Sequence, residues 1–138
     1  MKKKELNKVY SFLIELLSFK TIKDKNGNEF VLFSNNSLNF VEGIDDKTAF
    51  EAQENHLHLL DNISNKQFNK IIKIGEFFGK LVLCLLKESF PEKHFVVFTT
   101  VTKKDSFIIR FHQKWEGEKF YYDDTTSDEN TIIQKFEN

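Results

Sequence analysis

The stretch from Phe95 to Tyr122 reads as a three-strand meander, and it constrains the fold more than any other. HFVVFTTV, TKKDS, FIIRFHQKW, EGE and KFYYDD follow one another as strand, turn, strand, turn, strand. Alternation along the middle segment puts Phe107, Ile109, Phe111 and Trp115 on one face, and Ile108, Arg110, His112 and Lys114 on the other. Turns this short join antiparallel neighbours. Immediately before the meander the period changes to that of a helix. Phe68, Ile71, Ile72, Phe78, Val82, Leu85 and Leu86 mark one face over residues 66–89, and Ile74, Phe77, Leu81 and Leu83 widen it nearly all round. A helix so apolar is buried against a sheet or lies in an interface. Gly75 and Gly79, four apart, allow a close neighbour, and Pro91 stops the helix.

The rest of the chain supplies shorter elements. Leu6, Val9, Tyr10, Leu13, Ile14, Leu16 and Leu17 predict an amphipathic helix over residues 3–19. DKNGN at 24–28 is a tight-turn signal between strands at 20–23 and 29–34. Further strands are expected at 38–42 and 56–60, a short helical turn within 43–53, and a short terminal helix over 130–137. The fold class is α+β. It is expected as one domain, 1–138, with a single antiparallel sheet of about five to six strands, an N-terminal helix, and a long central helix packed on one face.

Charge and cysteine content bound the function. The formal net charge is −1 over 138 residues, without the basic excess of a nucleic-acid binder. It is unevenly spread: seven lysines stand against three acids in residues 1–25, and two against seven acids in residues 116–138. The single cysteine, Cys84, makes no internal disulfide and is expected buried and inert in the long helix. No apolar run is long enough to span a membrane. A cytoplasmic protein is expected, with a protein partner, no nucleic acid, no membrane and no cofactor, and with its oligomeric state open.

Two sets of residues are candidate sites. Arg110, His112, Trp115, Glu116, Glu118, Tyr121, Tyr122, Asp123 and Asp124 combine aromatic anchors with an acidic rim, which suits a basic protein partner. The alternative is a metal-dependent or metal-regulated protein. His56 and His58, two apart on a strand, would share a sheet face with His112 if the two strands are neighbours, and Asp61, Glu116 or Glu118 would add a carboxylate. No catalytic set is read: no G-x-S-x-G elbow, phosphate loop or dinucleotide fingerprint occurs. Glu116 and Glu118 flank Gly117 and read as solvated turn residues.

The order HLHLLD, a helix ending in SFP, FVVF, IIRFHQKWEGE and then YY resembles a small bacterial family with an HxH…FP…RFHQ…GE pattern. It is also similar to the single-domain immunity proteins of bacterial toxin systems, over roughly residues 54–122. That resemblance implies an α+β inhibitor that binds a toxin domain in the cytosol, and it carries over no catalytic residue. The lysine-rich start and near-zero net charge depart from a strongly acidic inhibitor and leave the toxin class open.

Overall fold

The computed structural model describes residues 2–122 and 127–138. It divides into two compact units, Met1–Ile44 and Asp45–Asn138.

The first unit holds helix α1 (Lys3–Leu16) and a hairpin of β1 (Phe19–Lys23) and β2 (Glu29–Phe33), paired antiparallel from Phe19 with Phe33 to Lys23 with Glu29. The hairpin turn follows from its sequence. Gly27 takes a φ of +83°, which a side chain would resist. Asp24 Oδ1 accepts the backbone N–H of Asn26 and of Asn28, both at 2.9 Å. Its other oxygen accepts from Asn28 Nδ2 at 2.9 Å and from the Ile44 N–H at 3.1 Å. Residues 38–42, expected as a strand, are irregular. Side chains engage the backbone at their start: Lys20 Nζ donates to the carbonyls of Asn36 and of Leu38, the latter at 2.7 Å, and Asn36 Oδ1 accepts the Leu38 N–H at 2.8 Å.

In the second unit come α2 (Lys47–Glu54), β3 (His56–Asp61), α3 (Phe68–Ser89), β4 (Phe95–Thr102), β5 (Ser106–Gln113) and β6 (Thr131–Glu137). The four strands form an antiparallel sheet in the order β3-β5-β4-β6. Its face of Phe95, Val97, Thr99, Val101, Phe107, Ile109 and Phe111 is buried. Helix α3 covers that face with Phe68, Ile71, Gly75, Gly79, Val82 and Leu86. Both glycines meet the sheet: a Cβ on Gly75 would lie 3.3 Å from the Phe107 ring, and one on Gly79 only 2.3 Å from the Phe136 ring.

The architecture is therefore not a single five- to six-stranded sheet with an N-terminal helix and a long helix on one face. Among the described residues it has two sheets, of two and four strands, and three helices, of which only α3 is long. The β1–β2 hairpin closes on itself. Residues 120–122 form no strand, because their rings lie across the sheet rather than in it. Residues 131–137 are a strand and not a terminal helix. Thr131, Ile132 and Ile133 are β-branched, and the whole segment pairs with β4 from Val96–Glu137 to Thr102–Thr131.

Each edge of this sheet is interrupted. Strand β3 carries a bulge between His58 and Leu60. Along β6, the groups of Thr131 and Ile133 that point away from β4 are taken by the preceding loop. Asp128 Oδ1 accepts the Thr131 N–H at 2.7 Å, the Asp128 N–H donates to the Thr131 carbonyl at 2.9 Å, and Ser127 Oγ accepts the Ile133 N–H at 3.1 Å.

A helix-interior glycine replaced by alanine ordinarily gains up to about 1 kcal/mol. Gly79→Ala is expected instead to lose about 1–3 kcal/mol, because its methyl overlaps the Phe136 ring. In a Phe136→Ala background the same substitution should gain. Urea unfolding of the four proteins checks the cycle, and a stabilised single variant would show that α3 does not seat on β6 through Gly79.

Candidate functional site

The site forms where strand β5 outruns its neighbour. The last β3 pair joins His56 to Arg110, and Asn55, just before β3, accepts the Phe111 N–H through its carbonyl at 3.3 Å. Two residues further on, the N–H of Gln113 points to the same side with β3 already ended. Glu51 of α2 takes its place. One carboxylate oxygen accepts the Gln113 backbone N–H, and the other accepts the Gln113 side-chain amide at 2.7 Å. Glu51 is fully buried. Lys93 Nζ donates to Gln113 Oε1 at 3.1 Å, which fixes the orientation of that amide.

Both ends of α2 are also held. At its start, Asp46 Oδ1 accepts the Ala49 N–H at 2.8 Å as an N-cap. Glu118 reaches the same helix end from the turn after β5. It accepts the backbone N–H of Thr48 at 2.6 Å and of Lys47 at 3.3 Å, and its Oε2 lies 2.8 Å from Lys47 Nζ. A carboxylate at a helix N-terminus also meets the positive end of the helix dipole. Burial pushes the Glu118 carboxyl up, but the hydrogen bonds from Lys47 and Thr48 outweigh it and hold it below the usual glutamate range. At the other end, Arg110 Nη1 donates to the Ala52 carbonyl at 2.6 Å, while its guanidinium lies 4.7 Å from the centre of the Tyr121 ring.

Residues 118–122 then cross the second face of the sheet as a strap. Tyr122 meets Phe98 edge to face at 5.0 Å, and Tyr121 meets Tyr122 at 4.9 Å. Lys114 and Lys135 lie over the Phe120 ring at 5.8 and 5.3 Å. Beneath the strap His112 is fully buried, with Phe98 at 5.8 Å and Phe120 at 6.0 Å. Its Nε2 accepts the Tyr121 backbone N–H at 3.1 Å, so its proton sits on Nδ1 and is donated to the Gln113 carbonyl at 2.7 Å. Burial pushes the imidazole pKa down, against the pull of that carbonyl and of the Glu118 charge.

The sequence-expected residues are thus gathered, but several face inward. Arg110, His112, Glu118, Tyr121 and Tyr122 fasten α2 and the strap to the sheet. Trp115 is half-buried with Lys47 Nζ 5.6 Å from its ring centre, and Glu116 is exposed. Asp123 and Asp124 lie outside the described residues. His56 and His58 are exposed together on β3, with ring centres 5.5 Å apart. His112 does not join them, because the register sets Arg110 opposite His56 and the strap closes over His112. Among the described residues no three His, Cys, Asp or Glu side chains are grouped to hold a metal. Cys84 is exposed on α3 rather than buried. Asp45, Asp46, Thr48 and Ala49 form one wall of an open cleft of about 640 Å³, and Glu118, Lys119, Phe120 and Tyr121 form the other. Of these, Glu118 and Tyr121 were among the sequence-expected residues, and Asp46 carries the local signal of a helix cap.

Glu51→Ala is expected to cost about 2–4 kcal/mol, because two buried donors of Gln113 lose their acceptor. Glu51→Gln keeps one acceptor and should cost less. Glu118→Gln should cost about 1 kcal/mol at neutral pH. Because the folded carboxyl titrates below its ordinary value of 4.5, the wild-type advantage is complete above that pH and is lost as pH falls through the folded value. Melting curves of wild type and Glu118→Gln should converge in acid, and a constant gap would show that the carboxylate does not hold α2.

Among the described residues no helix is long and apolar enough to cross a membrane. No curated protein and no solved structure matches the chain. A family profile matches residues 1–136, so nearly every element described above lies within it, and the chain belongs to the Uncharacterized protein PM0498 family.

Proposed function

We propose that this chain is a cytoplasmic protein-binding module, of the immunity type that neutralises a bacterial toxin domain by occupying it. The cleft at the start of α2 carries this reading. Asp45 and Asp46 line one wall, and Phe120 and Tyr121 line the other. Carboxylates facing half-buried rings suit a basic, aromatic-anchored surface of a protein partner: the rings supply contact area and the charges steer approach. The resemblance of residues 54–122 to immunity proteins supports the same reading. The charges open to a partner differ from those of the acidic patch read in the sequence. Glu118 is committed to Lys47 and Thr48, and reversing it would unseat α2. Asp45 is exposed, and Glu116 is exposed in the adjoining turn.

Asp45→Lys reverses charge at the cleft and leaves the Asp46 cap untouched. Wild type and this variant, immobilised side by side, are compared as bait for proteins of the source cell at low and high salt. A basic protein should be retained by wild type at low salt and bound at least ~10-fold more weakly by the variant. Equal retention by the two baits, or retention indifferent to salt, would remove the cleft as the partner's seat.

A further inference from the structure

We propose that His112 is a pH-operated latch, which holds the 118–122 strap against the sheet while neutral and releases it on gaining a proton. The geometry is specific. The strap's backbone reaches the sheet through the Tyr121 N–H, and the acceptor is His112 Nε2. The other ring nitrogen is already donating to the Gln113 carbonyl. A proton arriving at this ring therefore has one place to go, Nε2, where it would face the Tyr121 N–H donor to donor. The ring has no room to turn away from that conflict, because it is fully buried between Phe98 and Phe120. The element free to yield is the strap, which has no strand pairing of its own.

The charged surroundings set how hard the latch is to open. On the same face of β5, Arg110 and Lys114 lie two residues to either side. On β6, Lys135 and Glu137 stand across β4 from that face, with Lys135 over the Phe120 ring and Glu137 3.3 Å from Lys114 Nζ. Helix α2 contributes Glu51 and Lys47, and the strap itself contributes Glu118, Lys119, Tyr121 and Tyr122. From β4 the neighbours are the apolar Val96 and Phe98. Burial opposes the proton and outweighs the Gln113 carbonyl and the Glu118 charge, which favour it, so opening falls below the ordinary histidine value of 6.5. Released, the strap would uncover Phe98 and His112 and dismantle one wall of the cleft. The inference stands whether or not the cleft takes a protein partner, since its test reads the strap directly.

The ring signal of His112 and the exchange protection of the Tyr121 amide are followed by NMR from pH 7.5 downward, with the Phe111 amide as a core reference. The expected result is a ring titration below 6.5 with at least a tenfold loss of Tyr121 protection over the same range, while Phe111 is unchanged. Protection that stays constant as His112 titrates would overturn the latch. So would a ring that stays neutral until the whole chain unfolds. His112→Gln offers Tyr121 an acceptor that takes no proton, and its Tyr121 protection should stay flat with pH; loss over the wild-type range would also overturn the proposal. If that variant does not fold, the wild-type titration decides alone.

Discussion

The N–H of Gln113 lies one step past the end of a neighbouring strand, and much of the second unit is arranged around that fact. A buried backbone donor left without an acceptor costs about 1–3 kcal/mol, more than a typical hydrogen bond contributes when made. The usual remedies are to lengthen the neighbour or to expose the edge to water. Here a side chain substitutes for the missing strand, with Glu51 presenting two oxygens where the next backbone carbonyl would have stood. The substitution demands a helix in one place, because a carboxylate on a mobile loop would not fill a fully buried position at so small an entropic cost.

That helix is too short to form alone. Eight residues give only two turns, below the length at which helix formation offsets its nucleation cost in water. Beyond the local Asp46 cap, its order comes from contacts distant in sequence: Glu118 at one end, Arg110 at the other, and the clamp of Glu51 on Gln113 between them. Two of these three anchors from outside the helix, Arg110 and Gln113, lie within β5, and the third follows it by five residues. Strand, helix, turn and strap thus form one cooperative group, in which loss of any member removes partners from the others.

This explains what was legible in the sequence and what was not. Strands β4 and β5 and helix α3 were readable because hydrophobic period and burial coincide there. His56 and His58 were correctly set on one outer face of β3 by the same alternation. Residues 120–122 failed because three aromatic-rich residues satisfy a strand pattern and a covering strap equally well. Residues 131–137 failed because Ile132, Ile133 and Phe136 fit a helical spacing, and the vacant edge of β4 that captured them is a tertiary feature. Glu118 reads as a solvated turn residue and Glu51 carries no signal, since nothing near them in sequence reveals a helix end 70 residues away or a Gln113 donor 62 residues away. Acidic residues used as internal fasteners are a blind spot of composition-based reasoning, which counts them as surface.

The two interrupted sheet edges have a consequence for the chain at high concentration. Among the described residues, the loop at Ser127 and Asp128 satisfies the outward-pointing groups of Thr131 and Ile133 on β6, leaving the short stretch from Lys135 to Glu137. On the far side the bulge at His58 breaks the even spacing that another strand would need. A foreign strand would find fewer than four consecutive residues to pair with on β6 and a broken template on β3. Among the described residues this sheet therefore stops at four strands, and its phenylalanine-rich core is guarded at both backbone edges against stacking edge to edge into larger aggregates.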